Sequence, residues 1–256
     1  MSFWDHLDVL RGTLFRSALS VFLASIVMFC FKDFLFGKVI LAPSRPDFFM
    51  YKILGGGVSM QLINTEVSAQ FFVHLKVSFI CGLVIAFPYI IYEIWKFIAP
   101  ALYDNETRSV RKAFLGSALL FYAGVATGFC LIFPVTLSFF QGYTVSDAIA
   151  NTITLNSYIS MFTSTVLAFG IVFEFPIVVV ILSKLGIVTR DTLVKYRRHA
   201  LVVILCIAAI ITPADPLSML IAAAPLVLLY EVCVWCCKPA SDREGNENEI
   251  IEEGKE

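Results

Sequence analysis

The chain has 256 residues, of which 59% are hydrophobic and 15% charged, against roughly 45–50% and about 25% for an ordinary soluble domain. With 24 Phe against 19 Lys plus Arg, that much apolar surface cannot be hidden from water in a fold this size, which excludes a soluble single-core protein and leaves a membrane as the solvent. The net charge of −1 excludes a strongly basic nucleic-acid binder.

Six apolar runs are candidate spans, taken in order as Leu14–Phe31, Phe71–Ile91, Ala113–Phe140, Tyr158–Leu182, Ala200–Thr212 and Leu217–Cys237. A spanning helix needs about 20 such residues. The first is preceded by Phe3, Trp4, Leu7, Leu10 and Leu14 on one helical stripe, with Asp5, Asp8 and Arg11 elsewhere, the pattern of an interfacial helix leading into the bilayer. Its apolar stretch exceeds the usual 7–15 residues of a signal peptide, and Lys32-Asp33-Phe34-Leu35 offers no small-residue cleavage site, so the segment is expected to be retained. The connection from Lys32 to Gln70, punctuated by Pro43, Pro46 and Gly55-Gly56-Gly57 but carrying Phe48, Phe49, Ile53 and Leu54, is expected to fold against the bundle as a cap. The fifth run has about 13 residues and reaches roughly 20 Å, short of the ~30 Å hydrocarbon core. With the turn Thr212-Pro213-Ala214-Asp215-Pro216 it forms a short helical hairpin with the sixth.

Lys and Arg set the orientation. Fourteen of the 19 fall on the side of the termini, the 2–3 loop and the 4–5 loop, and five (Lys32, Lys38, Arg45, Lys52 and Lys76) on the other. Both termini are therefore expected in the cytoplasm. Residues 1–237 make the membrane domain. The tail 238–256 is expected to be disordered, because Asp242–Glu256 carries seven acidic and two basic side chains.

Chemistry-bearing groups are few. The cysteines, mostly inside apolar runs, read as small hydrophobes, and Cys233-Val-Trp-Cys236 lacks a second pair for zinc. His6, His74 and His199 have no ligand spacing, and no nucleophile, base and orienting group cluster, so neither an enzyme nor a cofactor is expected. Glu174, in Phe173-Glu174-Phe175-Pro176, lies well inside a span, where a carboxyl is costly. It is either a neutral carboxyl bonded locally, for instance to Thr163 or Thr165, or a partner-docking or gating group. Glu93 and Glu231 lie nearer helix ends, within snorkelling reach of water. Asp215 suits a turn cap. Phe87-Pro88 with Lys96 recurs as Phe175-Pro176 with Lys184 at an offset of 88 residues, but little else aligns. A proton-coupled small-molecule transporter, the alternative function, needs a stronger repeat and more midplane polar groups.

Four motifs resemble the TatC family of the twin-arginine protein translocase. They are His6-Leu7-x-x-Leu10-Arg11, Phe97-Ile98-Ala99-Pro100-Ala101-Leu102-Tyr103-x-x-Glu106, Phe169-Gly170-x-x-Phe173-Glu174-x-Pro176 and Thr212-Pro213-x-Asp215. The resemblance implies an all-α membrane protein of the bacterial cytoplasmic (inner) membrane, six-span, N-in/C-in and cupped, with short fifth and sixth helices. It implies a receptor that binds the twin-arginine signal peptides of folded cargo and, with single-span TatA- and TatB-type partners and as a homo-oligomer, helps export that cargo on the proton-motive force. By the same resemblance Arg11 and Glu106 fall in the signal-recognition site, Glu174 is an intramembrane carboxylate for partner assembly, Asp215 lies beside the partner-docking region, and Pro43 is a structural proline of the outer loop. Two positions depart from the pattern. Family members usually carry Glu two residues before the motif's Arg, where this chain has Val9, so Asp8 or Asp5 is expected to assist Glu106; and Met219 stands where a polar residue is common.

Overall fold

The structure, a computed structural model, describes residues 3–54, 60–98, 104–146, 152–184, 187–212 and 216–237, with side chains at 7–53, 60–97, 116–146, 152–183, 187–212 and 216–237. The chain divides into two compact units, Met1–Ile171 and Val172–Glu256. Among the described residues five helical stretches are long and apolar enough to cross a membrane: Leu7–Cys30, Ala69–Phe97, Gly116–Gly142, Leu155–Ser183 and Pro216–Cys236.

In the first unit, helix α1 (Phe3–Cys30) runs without interruption from the interfacial stripe into the first span. After a three-residue turn of helix, α2 (Lys32–Phe34), and the short α3 (Phe49–Leu54), the chain enters α4 (Ala69–Ile98). α1 and α4 are antiparallel, since contacts pair Arg16 with Glu93, Ser25 with Gly82 and Phe29 with His74. They approach closely at Gly82, where a Cβ would lie 2.7 Å from the Cα of Ser25. Only glycine fits there, because non-bonded carbons at their optimum are about 3.5–4.0 Å apart.

Pro88 sits inside α4 and has no N–H to give the carbonyl four residues back, at Val84. In hydrocarbon an orphaned carbonyl is costly. The hydroxyl of Tyr122, on α5 (Asp104–Thr127), donates to the Val84 carbonyl at 3.1 Å. Proline perturbs the third span as well. Pro134, at the start of α6 (Phe133–Gly142), leaves the Cys130 carbonyl without its helical donor, and the backbone widens into a π-helical turn over Gly128–Ile132.

The segment after α2 caps this unit. A π-helical turn (Leu35–Ile40) and a 3₁₀ turn (Ala42–Ser44) place Leu35 and Ile40 in a core with Val73, Val77, Phe133, Leu137, Tyr158 and Ile159. Tyr158, on α7 (Leu155–Val172), donates to the Ile40 carbonyl at 2.7 Å, and Tyr51 on α3 to the Pro43 carbonyl at 2.6 Å. Burial pushes the Tyr51 phenol above its ordinary pKa, so it stays a donor. Two short parallel strands, β1 (Leu62–Ile63) and β2 (Ile153–Thr154), pair Leu62 with Ile153 and Ile63 with Thr154. The expected cap is present, but of the apolar residues that suggested it Phe48 is buried while Phe49 and Ile53 are exposed; Leu35, Ile40 and Tyr51 supply the rest of the packing. The strand pair is an addition to an otherwise helical fold.

The second unit holds α8 (Phe175–Lys184), α9 (Arg190–Lys195), α10 (Arg197–Ile211) and α11 (Pro216–Cys236). Thr189 caps α9 by accepting from the Thr192 N–H at 3.3 Å. The Tyr230 hydroxyl fastens α11 to α9 through the Leu193 carbonyl at 2.7 Å. The fifth helix is short as expected, its 15 residues rising about 22 Å. The sixth, expected to be short as well, is not: it has 21 residues and rises about 31 Å, enough to span. Cys233 and Cys237 are buried beside Val179, as an apolar reading of the cysteines expects, whereas Cys30, Cys206 and Cys236 are exposed on apolar helices.

Candidate functional site

The sequence-predicted residues fall at three places. At the N-terminal end of α1, Asp8, Val9 and Arg11 are all exposed. Asp8 and Arg11 are three residues apart, so they neighbour each other on the helix surface. Val9 is 40% exposed, so the position usually held by glutamate is accessible and carries no charge here. Glu106 lies in the first turn of α5, and its side chain falls outside the described residues, as do Asp5 and Asp215. Thr212, which opens the Thr212-Pro213-x-Asp215 motif, is buried and donates to the Ala208 carbonyl at 2.8 Å.

One turn further along α1 and near the end of α4 lies a polar cluster that the sequence reading missed. Glu93 is 3% exposed and therefore does not snorkel. Its carboxylate accepts from Arg16 Nε at 2.8 Å and from the Tyr89 hydroxyl at 3.1 Å. A carboxylate with a charged and a neutral donor is a compensated buried ion, which clamps α1 to α4 below the exposed Asp8–Arg11 surface. Tyr89 and Glu93 are four residues apart, on one helical face, and that spacing was the available signal. The partner Arg16 is 77 residues away and needed the fold. Glu231, by contrast, is half-exposed and pairs with Arg197 at 2.8 Å.

The third place is the break in the fourth span. Expected as one helix over Tyr158–Leu182, it is two, with Phe173 and Glu174 in a turn between α7 and α8. Pro176 removes an N–H just after the break, and the Glu174 carbonyl accepts from the N–H groups of Ile177 at 3.0 Å and Val178 at 3.3 Å. Glu174 is partly exposed, and the division of the chain into its two units falls at this turn. The motif's glycine has a packing cause: a Cβ on Gly170 would lie 2.8 Å from the Phe121 ring and 3.0 Å from Val125. Phe121 is itself stacked on Phe87 with centroids 3.6 Å apart.

The arrangement offers exposed charges at one helix end, a clamped ion pair beneath them and a carboxyl at a helix break. Among the described residues no three His, Cys, Asp or Glu side chains group as metal ligands.

The profile of the family described as "Sec-independent protein translocase protein (TatC)" matches residues 5–225. The chain is 31% identical over 250 residues to the Sec-independent protein translocase protein TatC of Blattabacterium sp. subsp. Periplaneta americana, covering 92% of this chain and 94% of that one. It is 33% identical over 245 residues to the protein of the same name from Aquifex aeolicus, covering 95% and 98%. Two crystal structures of the twin-arginine translocase receptor TatC superpose on it. One has a TM-score of 0.72 and 34% identity, over 90% of this chain and 97% of that one. The other, in the detergent DDM, has a TM-score of 0.76 and 33% identity, over 91% and 99%.

Proposed function

The chain belongs to the TatC family of Sec-independent protein translocase subunits, and from that premise we propose that it is the receptor which takes the twin-arginine signal peptide of folded cargo. It is a multi-pass inner-membrane component of a translocase and not an enzyme. In this reading the termini and the loop bearing Glu106 face the cytoplasm, where most Lys and Arg lie. TatA- and TatB-type single-span subunits join the receptor at Glu174 and Asp215, copies of the chain associate within the complex, and the proton-motive force drives export.

The observation that carries the reading is the exposed Asp8–Arg11 surface of α1, within the motif that precedes the first span. A guanidinium presents a planar fork of donors that suits carboxylates. With Val9 uncharged, Glu106 and Asp8 are the carboxylates that meet the two arginines, and Arg11 positions the peptide through its backbone carbonyls. Binding of a twin-arginine peptide, followed by site-specific crosslinking to the full chain in membranes, tests this. We expect Glu106→Ala to lower affinity at least tenfold, the loss of a charge-assisted pair, and Asp8→Ala to lower it less. Unchanged affinity in both variants overturns the assignment.

A further inference from the structure

Between α10 and α11 lies a cleft of about 210 Å³ lined by Arg197, Arg198, Leu201, Ile204, Val227, Tyr230 and Glu231. Its composition is graded along the helices. The two arginines open α10, and Leu201 and Ile204 follow one and two turns deeper, Ile204 standing about 9 Å beyond Arg198 at helical rise. On α11, Glu231 and Tyr230 stand level with the arginines, and Val227 is one turn deeper. The cleft thus runs from a cationic mouth into the apolar depth of the spanning segment.

The charge at the mouth is only partly balanced. Glu231 takes one donor of Arg197 at 2.8 Å, leaving the rest of that five-donor fork. Arg198 has no ion partner among the described residues, and Lys195 lies exposed just before the helix. Tyr230 Oη is engaged with Leu193, so its ring serves as wall and not as donor.

We propose that this cleft is a binding site for one anionic glycerophospholipid, its phosphodiester on Arg198 and Arg197 and one acyl chain along Leu201, Ile204 and Val227. Basic sites between spanning helices at the headgroup level suit anionic lipids. The short α10 adds a reason for the site. A helix of 15 residues leaves several ångströms of hydrocarbon thickness unmatched, and a lipid held by its phosphate at that helix end fixes the local bilayer to it.

The test is lipid retention by the full chain, released from mixed micelles of phosphatidylglycerol and phosphatidylcholine and weighed by native mass spectrometry. The unaltered protein is expected to keep one phosphatidylglycerol in preference to phosphatidylcholine. Arg198→Gln should lower that retention about fivefold, and Glu231→Gln, which removes the competing carboxylate, should raise it. Leu201→Trp leaves both arginines in place and fills the cleft, so it should abolish retention and keeps the proposal testable if Arg198→Gln does not fold. Phosphatidylcholine held as strongly as phosphatidylglycerol, full retention in Arg198→Gln or Leu201→Trp, or displacement of the lipid by millimolar inorganic phosphate would each overturn it.

Discussion

At the scale of single residues, a buried carboxylate is the most consequential feature outside the family motifs. Glu93 is sealed from water, while the Arg16 side chain that pairs with it is 43% exposed. Removing the arginine strands a charge among apolar helices, whereas neutralising the glutamate strands less, because the amide oxygen still accepts from Arg16 and the amide NH2 can donate to the Tyr89 hydroxyl oxygen. We therefore expect Arg16→Ala to cost about 2 kcal/mol, below the range for a fully buried pair because the arginine side chain is half-exposed. Glu93→Gln should cost about 1 kcal/mol or less, and the double variant should be more stable than Arg16→Ala alone. Thermal unfolding of the four proteins in one detergent measures this cycle, and additive losses would show that the pair does not couple. The sequence exposed half of this site. Tyr89 and Glu93 are visibly on one face of a helix, but nothing local ties either to Arg16. Glu174 was legible for the opposite reason, since one carboxyl in an otherwise apolar span stands out by cost alone.

At the scale of elements, run length in the sequence converts directly to rise along a helix, so the apolar runs located the helices; among the described residues five stretches are long enough to cross a membrane, and the short fifth helix is not one of them. Proline effects were less legible. A proline in a spanning helix announces a lost hydrogen bond, yet the group that replaces it belongs to another helix. At Pro88 that group is Tyr122, 38 residues away from the Val84 carbonyl it serves. Tyr122→Phe should destabilise the protein by about 1 kcal/mol, the net worth of one hydrogen bond. In a Pro88→Ala background, where the backbone N–H gained at that position recovers the Val84 carbonyl, the same change should cost close to nothing. The difference between the two costs, read from unfolding in detergent, measures the bridge. Equal costs in both backgrounds would mean that the hydroxyl acts elsewhere. The strand pair β1–β2 was not legible at all, since two-residue strands carry no periodicity and the partners, Leu62 with Ile153 and Ile63 with Thr154, lie far apart in the sequence.

At the scale of the whole molecule, the near-zero net charge conceals a division between a cationic body and an acidic tail, and the fold conceals another at Phe173–Glu174. The backbone alone accounts for the second break. Pro176 denies a donor to the preceding turn, and the Glu174 carbonyl, not its carboxyl, receives the first N–H groups of α8. The side chain at position 174 is therefore separable from the interruption that presents it. Glu174→Ala should keep the break and the fold and leave twin-arginine peptide binding within about twofold, a change worth under half a kcal/mol, while export and co-purification of single-span partners fall by tenfold or more. Pro176→Ala restores the missing donor and favours a continuous helix, retaining the carboxyl but altering where it is held. If the carboxyl itself is the docking group, Glu174→Gln, which keeps hydrogen bonding without the charge, should recover part of the assembly lost in Glu174→Ala. If the break is what matters, Pro176→Ala should be the more damaging variant and Glu174→Ala should export normally. Measuring export, partner co-purification and peptide binding on the same three membranes separates the two, because a general folding defect would lower all three together.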